Sequence, residues 1–295
     1  MISPNYIQYL ESEKRSSALT VKSYLSDLEQ FSHYLVSVFE INNLADADSI
    51  QIRGWISDLT YNKIESKSIS RKLSSLRSYY RFLQKNEIIS KNPMETISSP
   101  KIKKRLPVYI NVPKADELLN PDSFDEGFVG MRDKLILDIF YSTGIRLSEL
   151  INIKDQDISF YDGQIKIFGK GQKERIIPIS INLSKTIKEY ITLRDESFAG
   201  IKQIDCLFVT IKGIKMYPKS IYRIVRHHMG RVTTQQRRSP HILRHTFATH
   251  LLNEGADINA IKELMGHANL SATQVYTHNS ISKLKNIYKQ AHPRA

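Results

Sequence analysis

Four prolines, Pro93, Pro100, Pro107 and Pro113, interrupt the segment NPMETISSPKIKKRLPVYINVPK between Asn92 and Lys114. Such a density forbids a continuous helix, because each ring removes an amide donor and clashes with the preceding turn. Lys101, Lys103, Lys104, Arg105 and Lys114 lie in the same stretch and keep it out of an apolar core. With 295 residues the chain exceeds the usual size of one domain. The segment therefore reads as a linker over 99–113, joining a domain at 1–98 to a second at 114–295. A basic linker between basic domains can follow a phosphate backbone, so that two lobes clasp a duplex from opposite sides.

The first domain carries a helical period throughout. Val21, Tyr24, Leu25, Leu28, Phe31 and Leu35 fall on one face of residues 20–35, with Thr20 placed to cap. Ile52, Trp55, Ile56 and Leu59 repeat the same spacing. A third helix, SISRKLSSLRSYYRFLQK, turns Ile69, Leu73, Leu76, Tyr80 and Leu83 inward. Its other side carries Arg71, Lys72, Arg77, Arg81 and Lys85 among Ser70, Ser74, Ser75 and Ser78. Small hydroxyls between long cations let a phosphate track come close, which suits a DNA groove, although a solvated basic face has the same pattern. Arg71, Lys72, Arg77 and Arg81, with Lys101, Lys103 and Lys104 of the linker, are the candidate DNA contacts.

The second domain opens with helices around 115–119 and 131–142. The period then changes: ISFYDG, QIKIFG and ERIIPI alternate apolar and polar residues, and Asp162-Gly163 supplies a hairpin turn. Helices return thereafter. The expected fold class is mainly α, with a small antiparallel sheet in the C-terminal domain.

A formal charge of +13, from 43 Lys and Arg against 30 Asp and Glu, asks for a polyanionic partner. Nucleic acid fits better than a membrane surface, since no apolar run is long enough to span a bilayer and MISPNYIQYLESEKR has no signal-like apolar region. A cytoplasmic protein is expected. Cys206 is the only cysteine, which excludes an intrachain disulfide and any multi-cysteine metal site.

Chemistry concentrates in HILRHTFATH, His241 to His250. Ser239-Pro240 is a helix start, and Leu243, Phe247, Ala248 and Leu251 form the packed side. His241 and Arg244 share another face in the first turns, where free amides and the helix dipole favour an anion. Zinc on His241 and His245 competes, but the HExxH pattern needs Glu where Ile242 stands. Satisfied core polar groups explain His245 and His250 equally well. Downstream, Asp257 caps a helix through Ile258, Ile261, Leu264 and Met265 that Gly266 ends, leaving His267 on the exit and Tyr276 beyond it. Upstream, Gly144 permits a tight turn before Arg146, and Lys170 stands between Gly169 and Gly171 at a strand turn. No GxxxxGK[ST] phosphate loop occurs.

In order and spacing, STGIRLSEL, GKGQKERIIPI, HILRHTFATHLLNEGAD, LMGHANLSATQVYTH and the ending HPRA resemble the tyrosine recombinase (phage integrase) family, its Xer-type members above all. Met265 departs from the Leu often found before Gly-His. The resemblance implies a C-shaped clamp made of a helical core-binding domain and a catalytic domain. It also implies active-site roles: Arg146 and Arg244 as the phosphate-binding arginines, Lys170 as general acid, His241 and His267 as histidines that orient the phosphate and assist deprotonation, and Tyr276 as nucleophile. A 3′-phosphotyrosyl intermediate would store the broken bond, so no cofactor or metal is expected. The implied partners are a double-stranded DNA recombination site, a homo- or hetero-tetramer with a sister recombinase, and a DNA translocase as activator. Chromosome or plasmid dimer resolution is the expected role. Integration of a mobile element, topoisomerase-like relaxation and a non-catalytic architectural function are the alternatives. Leu284, Ile287 and Tyr288 form an apolar stripe like the tail that the family docks into a neighbouring protomer; folding back on its own domain is the competing expectation.

Overall fold

The computed structural model describes residues 4–101, 108–169, 174–200, 204–266 and 286–294. They fall into two compact units, Met1–Arg105 and Leu106–Ala295. The architecture is mainly helical with one small antiparallel sheet, as the sequence patterns suggest.

The first unit contains α1 (Pro4–Gln8), α2 (Ala18–Phe39), α3 (Ser49–Tyr61) and α4 (Ser66–Lys85). α2 starts earlier than expected because Ser17, not Thr20, caps it: Ser17 Oγ accepts the Thr20 amide at 3.3 Å. A capping box opens α3, with Asp48 accepting the Gln51 amide and Gln51 Oε1 accepting the Asp48 amide at 2.9 Å. The core is aromatic-rich. Phe31 and Trp55 lie 4.9 Å apart between ring centroids, and the buried Tyr80 hydroxyl donates to the Leu44 carbonyl at 2.7 Å.

Lys72 corrects the reading of α4. It follows Ile69 by three residues and precedes Leu76 by four, which places it on the buried stripe rather than the basic outer face. Its residue is 6% exposed, and its ammonium donates to Asp27 Oδ1 at 3.2 Å and to Gln30, 5.7 Å from the Trp55 ring centroid. Ser75, also turned inward, donates to Asp27 Oδ2 at 2.7 Å. A buried carboxylate on α2 thus draws a lysine and a serine to the inner face of α4.

The second unit opens with α5 (Val112–Leu118), α6 (Phe128–Thr143) and α7 (Leu147–Ile151). The sheet follows as β1 (Ile158–Ser159), β2 (Gln164–Phe168) and β3 (Glu174–Pro178), hydrogen-bonded in that order and antiparallel throughout. Next come α8 (Ile181–Ser197), α9 (Pro218–Val232), α10 (Pro240–Asn253) and α11 (Ile258–Met265). Every residue of α6 from Leu135 to Thr143 is buried, which makes it the central helix of the unit. β2 sends Ile165 and Ile167 into the core, and Gly163 takes a left-handed φ of +61° at the β1–β2 turn.

Residues 286–291 are helical and fold back on their own unit, the competing expectation for the tail. Tyr288 and Ala291 are buried with Phe247, Leu251 and Leu264 from α10 and α11. His292 Nε2 bonds the Tyr141 carbonyl at 3.1 Å, fastening the tail to α6. Leu284 lies outside the described residues.

Candidate active site

Gly144 ends α6 with φ +60°, and the chain then turns directly into Ile145 and Arg146. A Cβ added there would lie 2.4 Å from Phe247 Cδ1, so a glycine is required both for the turn and for the close approach of α10. Arg146 caps α7. Its amide donates to Glu149 Oε2 at 2.7 Å and its Nη1 to Glu149 Oε1 at 2.8 Å. Its Nη2 reaches across to the Gly266 carbonyl at 2.9 Å.

Arg244 rises from the second turn of α10 and is 4% exposed. Its Nη1 donates to the Gly144 carbonyl and its Nη2 to the Met265 carbonyl, the latter at 2.6 Å. Arg175 enters from β3, donating from Nε to the Leu264 carbonyl at 2.9 Å and from its two Nη atoms to Glu149 at 2.9 and 2.8 Å. Three guanidiniums therefore take three consecutive carbonyls, Leu264, Met265 and Gly266, at the end of α11. A helix C-terminus leaves such carbonyls without partners and concentrates partial negative charge there, so cations are at home. Asp257 starts this helix by accepting the Ala260 amide, and Gly266 stops it with φ +64°.

Among the described residues, Glu149 is the carboxylate that these contacts bring to the arginines. Burial pushes its carboxyl up, but the hydrogen bonds and charge of Arg175, followed by those of Arg146, overcome that and hold it at about 2. Burial, then the charges of Arg146 and Arg175, push Arg244 down to about 10, still cationic at neutral pH. The Arg146 side chain remains 41% exposed. An excess of fixed positive charge, open on one side, is suited to hold an anion without reorganising.

His241, exposed on the first turn of α10, shares a helix face with Arg244 three residues on. His250 is structural: its ring bonds the Tyr141 hydroxyl at 3.0 Å and the Ile110 carbonyl at 2.9 Å. Lys170, His267 and Tyr276 lie outside the described residues. Their neighbours are placed, however: β2 and β3 flank Lys170, and His267 directly follows Gly266.

In the first unit, Arg71 pairs with Asp27 and donates to Ser23 Oγ at 2.6 Å. Arg77 ties down the following segment through the Ile97 carbonyl at 2.9 Å and Ser99 Oγ at 3.0 Å. Arg81 and Lys101 are exposed, while Lys103 and Lys104 lie outside the described residues. Lys14, Ser16, Ser74, Arg77, Ser78 and Arg81 line a hollow of about 380 Å³ with Tyr9 and Tyr24.

Three features escaped the sequence reading. Glu149 was legible only as a residue three after Arg146. Arg175 was signalled by a cation at an inward position of an alternating strand, opposite Ile167 in register. α9 exposes Lys219, Arg223, Arg226 and His227 while burying Ile221, Val225 and Met229, an amphipathic basic helix.

Residues 117–283 match the phage integrase family, and residues 4–87 match the phage integrase N-terminal SAM-like domain. The chain belongs to the phage integrase family. Tyrosine recombinase XerC of Syntrophus aciditrophicus is 38% identical, covering 98% of this integrase and 96% of its own chain. Tyrosine recombinase XerC of Pelobacter propionicus is also 38% identical, over 97% and 93%. The fold is shared with a XerH site-specific recombinase bound to a palindromic difH substrate in a post-cleavage complex, with a TM-score of 0.74 and 24% identity over 95% of this integrase and 82% of that chain. Among the described residues of the integrase, no three His, Cys, Asp or Glu side chains are grouped to hold a metal ion, and no helix is long and apolar enough to cross a membrane.

Proposed function

We propose that this integrase cleaves and rejoins duplex DNA at a specific site. The Tyr276 phenolate attacks a phosphodiester, the P–O5′ bond breaks, and a 3′-phosphotyrosyl link forms. His241 and His267 orient the phosphate and help remove the phenol proton; Lys170 delivers a proton to the departing 5′ oxygen. Arg146 and Arg244 hold the non-bridging oxygens with paired, charge-assisted hydrogen bonds. A 5′ hydroxyl from another duplex then reverses the step, returning the strand to DNA and the phenol to the enzyme. One preorganised donor contributes about 3–4 kcal/mol to such a transition state, so the rate needs the constellation rather than one residue.

The observation that carries this reading is the joint anchoring of Arg146 and Arg244 on Gly266 and Met265, immediately before His267 and ten residues before Tyr276. Basic residues of both units extend the interface: Arg81 and Lys101 in the first, Lys219, Arg223 and Arg226 on α9 in the second. Exchange between two duplexes calls for four such sites, hence a tetramer of this chain or of this chain with a sister recombinase, with a DNA translocase as activator. Similarity to XerC over nearly the whole chain favours resolution of chromosome or plasmid dimers in the cytoplasm over integration of a mobile element.

Footprinting on genomic DNA identifies the site, and a nicked duplex carrying it then traps the intermediate. Wild type is expected to form a covalent adduct on that duplex, and Tyr276→Phe to bind it without one. An adduct persisting in Tyr276→Phe refutes the assignment.

A further inference from the structure

Arg175 has no part in the reaction as assigned above, yet it is more tightly held than either phosphate-binding arginine. It lies near the start of β3, five residues after Lys170 in the sequence, and its side chain is 6% exposed. Both of its Nη atoms go to Glu149 and its Nε to the Leu264 carbonyl. Its planar fork is thereby fixed in one orientation. Glu149 is fixed in turn: each of its oxygens accepts one bond from Arg175 and one from Arg146. The Arg175 side chain also lies flat against the backbone at Gly266, where an added Cβ would come within 3.1–3.2 Å of its Nη1, Cδ and Cζ.

Removing Arg175 would leave Glu149 with half of its contacts and free to turn about its side-chain bonds. Arg146 depends on that carboxylate for the direction of its Nη1, and the end of α11 depends on Arg175 for one of its carbonyl bonds. We propose that Arg175 is a positioning residue for strand cleavage: through Glu149 it fixes the direction in which Arg146 presents its guanidinium to the phosphate. It does not touch DNA. The inference rests on the reading of Arg146 as a phosphate ligand.

The test is a double-mutant cycle in the full chain. Single-turnover adduct formation on the nicked duplex is measured for Arg175→Met, Arg146→Ala and the double variant, with thermal melting and DNA affinity alongside. Arg175→Met is expected to slow cleavage on the order of 10²-fold, the effect of misplacing a group by about 1 Å, with DNA affinity retained. Arg175→Lys, which keeps the charge but not the fork, is expected to recover part of the rate. In the Arg146→Ala background, Arg175→Met is expected to add less than about twofold, because the group it orients is already gone.

A purely structural role predicts that the two defects multiply, and that result overturns the proposal. So does wild-type cleavage by folded Arg175→Met. If Arg175→Met does not fold, Glu149→Gln, which fills the same space, enters the cycle in its place with the same expectations. Normal cleavage by Arg146→Ala alone would instead reject the phosphate-clamp reading, so the two failures are distinguishable.

Discussion

The Nη2 of Arg146 lies 2.9 Å from the carbonyl oxygen of Gly266, the residue before His267. Arg244 makes the matching contact to Met265 at 2.6 Å. The same helix end thus aligns two guanidiniums from α10 and the α6–α7 turn, and it does so through backbone atoms, which substitutions along α11 leave in place.

Arg244→Lys follows directly. An ammonium cannot span the carbonyls of Gly144 and Met265 and also present a planar pair of donors. Adduct formation on the nicked duplex is expected to fall on the order of 10²- to 10³-fold, the loss typical of a preorganised donor, with DNA binding maintained. Gel shift and single-turnover cleavage, run in parallel, separate the two.

Gly144→Ala tests the turn that delivers Arg146. The new methyl would sit 2.4 Å from the Phe247 ring at a left-handed φ of +60°. A non-glycine residue there costs about 1–3 kcal/mol, so a lower melting temperature and reduced cleavage are expected together. Adding Phe247→Leu relieves the contact but not the backbone strain, and is expected to restore stability only in part.

Asp27→Asn leaves Lys72 buried with no countercharge. Breaking a buried pair from one side typically costs about 3–5 kcal/mol, whereas replacing both partners with apolar residues is close to neutral. Asp27→Asn is thus expected to lower the melting temperature of the first unit far more than Asp27→Leu with Lys72→Met. The double variant is expected to keep DNA affinity, since the Lys72 ammonium faces inward.

The tail carries a pH dependence. Burial, then the neighbouring His250 and Arg294, push the His292 imidazole from 6.5 down to about 4, against the bond to the Tyr141 carbonyl that favours the charged ring. Its Nδ1 accepts the Arg294 amide at 3.1 Å, and Tyr288 stacks on it at 5.1 Å. The docked state excludes the protonated ring, so docking is fully stable above pH 6.5 and weakens as pH falls from 6.5 toward 4. Limited proteolysis of the free chain is expected to clip residues 286–294 faster at about pH 5 than at about pH 7.5, and His292→Phe is expected to flatten that difference.

Much of this was legible in the sequence, for identifiable reasons. The period change at 158–179 announced the hairpin, and Asp257 and Gly266 marked both ends of α11 before any contact was known. Arg244 stood out because it shares a helix face with His241 and a buried arginine needs an anion, and Arg146 because it follows the Gly144 turn at the start of a helix. Lys72 was misjudged because one residue of rotation on a helix separates an outer from an inner face, and only Asp27, on another helix, decides between them. Arg175 and Glu149 were passed over for a similar reason: their roles exist only once β3, α7 and the end of α11 meet, and no spacing along the chain encodes that meeting.

Three arginines around one carboxylate also have a thermodynamic meaning. Burial first, and then the like charges of Arg146 and Arg175, depress Arg244, so the folded molecule carries an uncompensated cation before any substrate arrives. If Arg146 and Arg244 hold a DNA phosphate as proposed, that phosphate supplies the counter-charge the polypeptide lacks, and duplex binding and resistance to heat rise together.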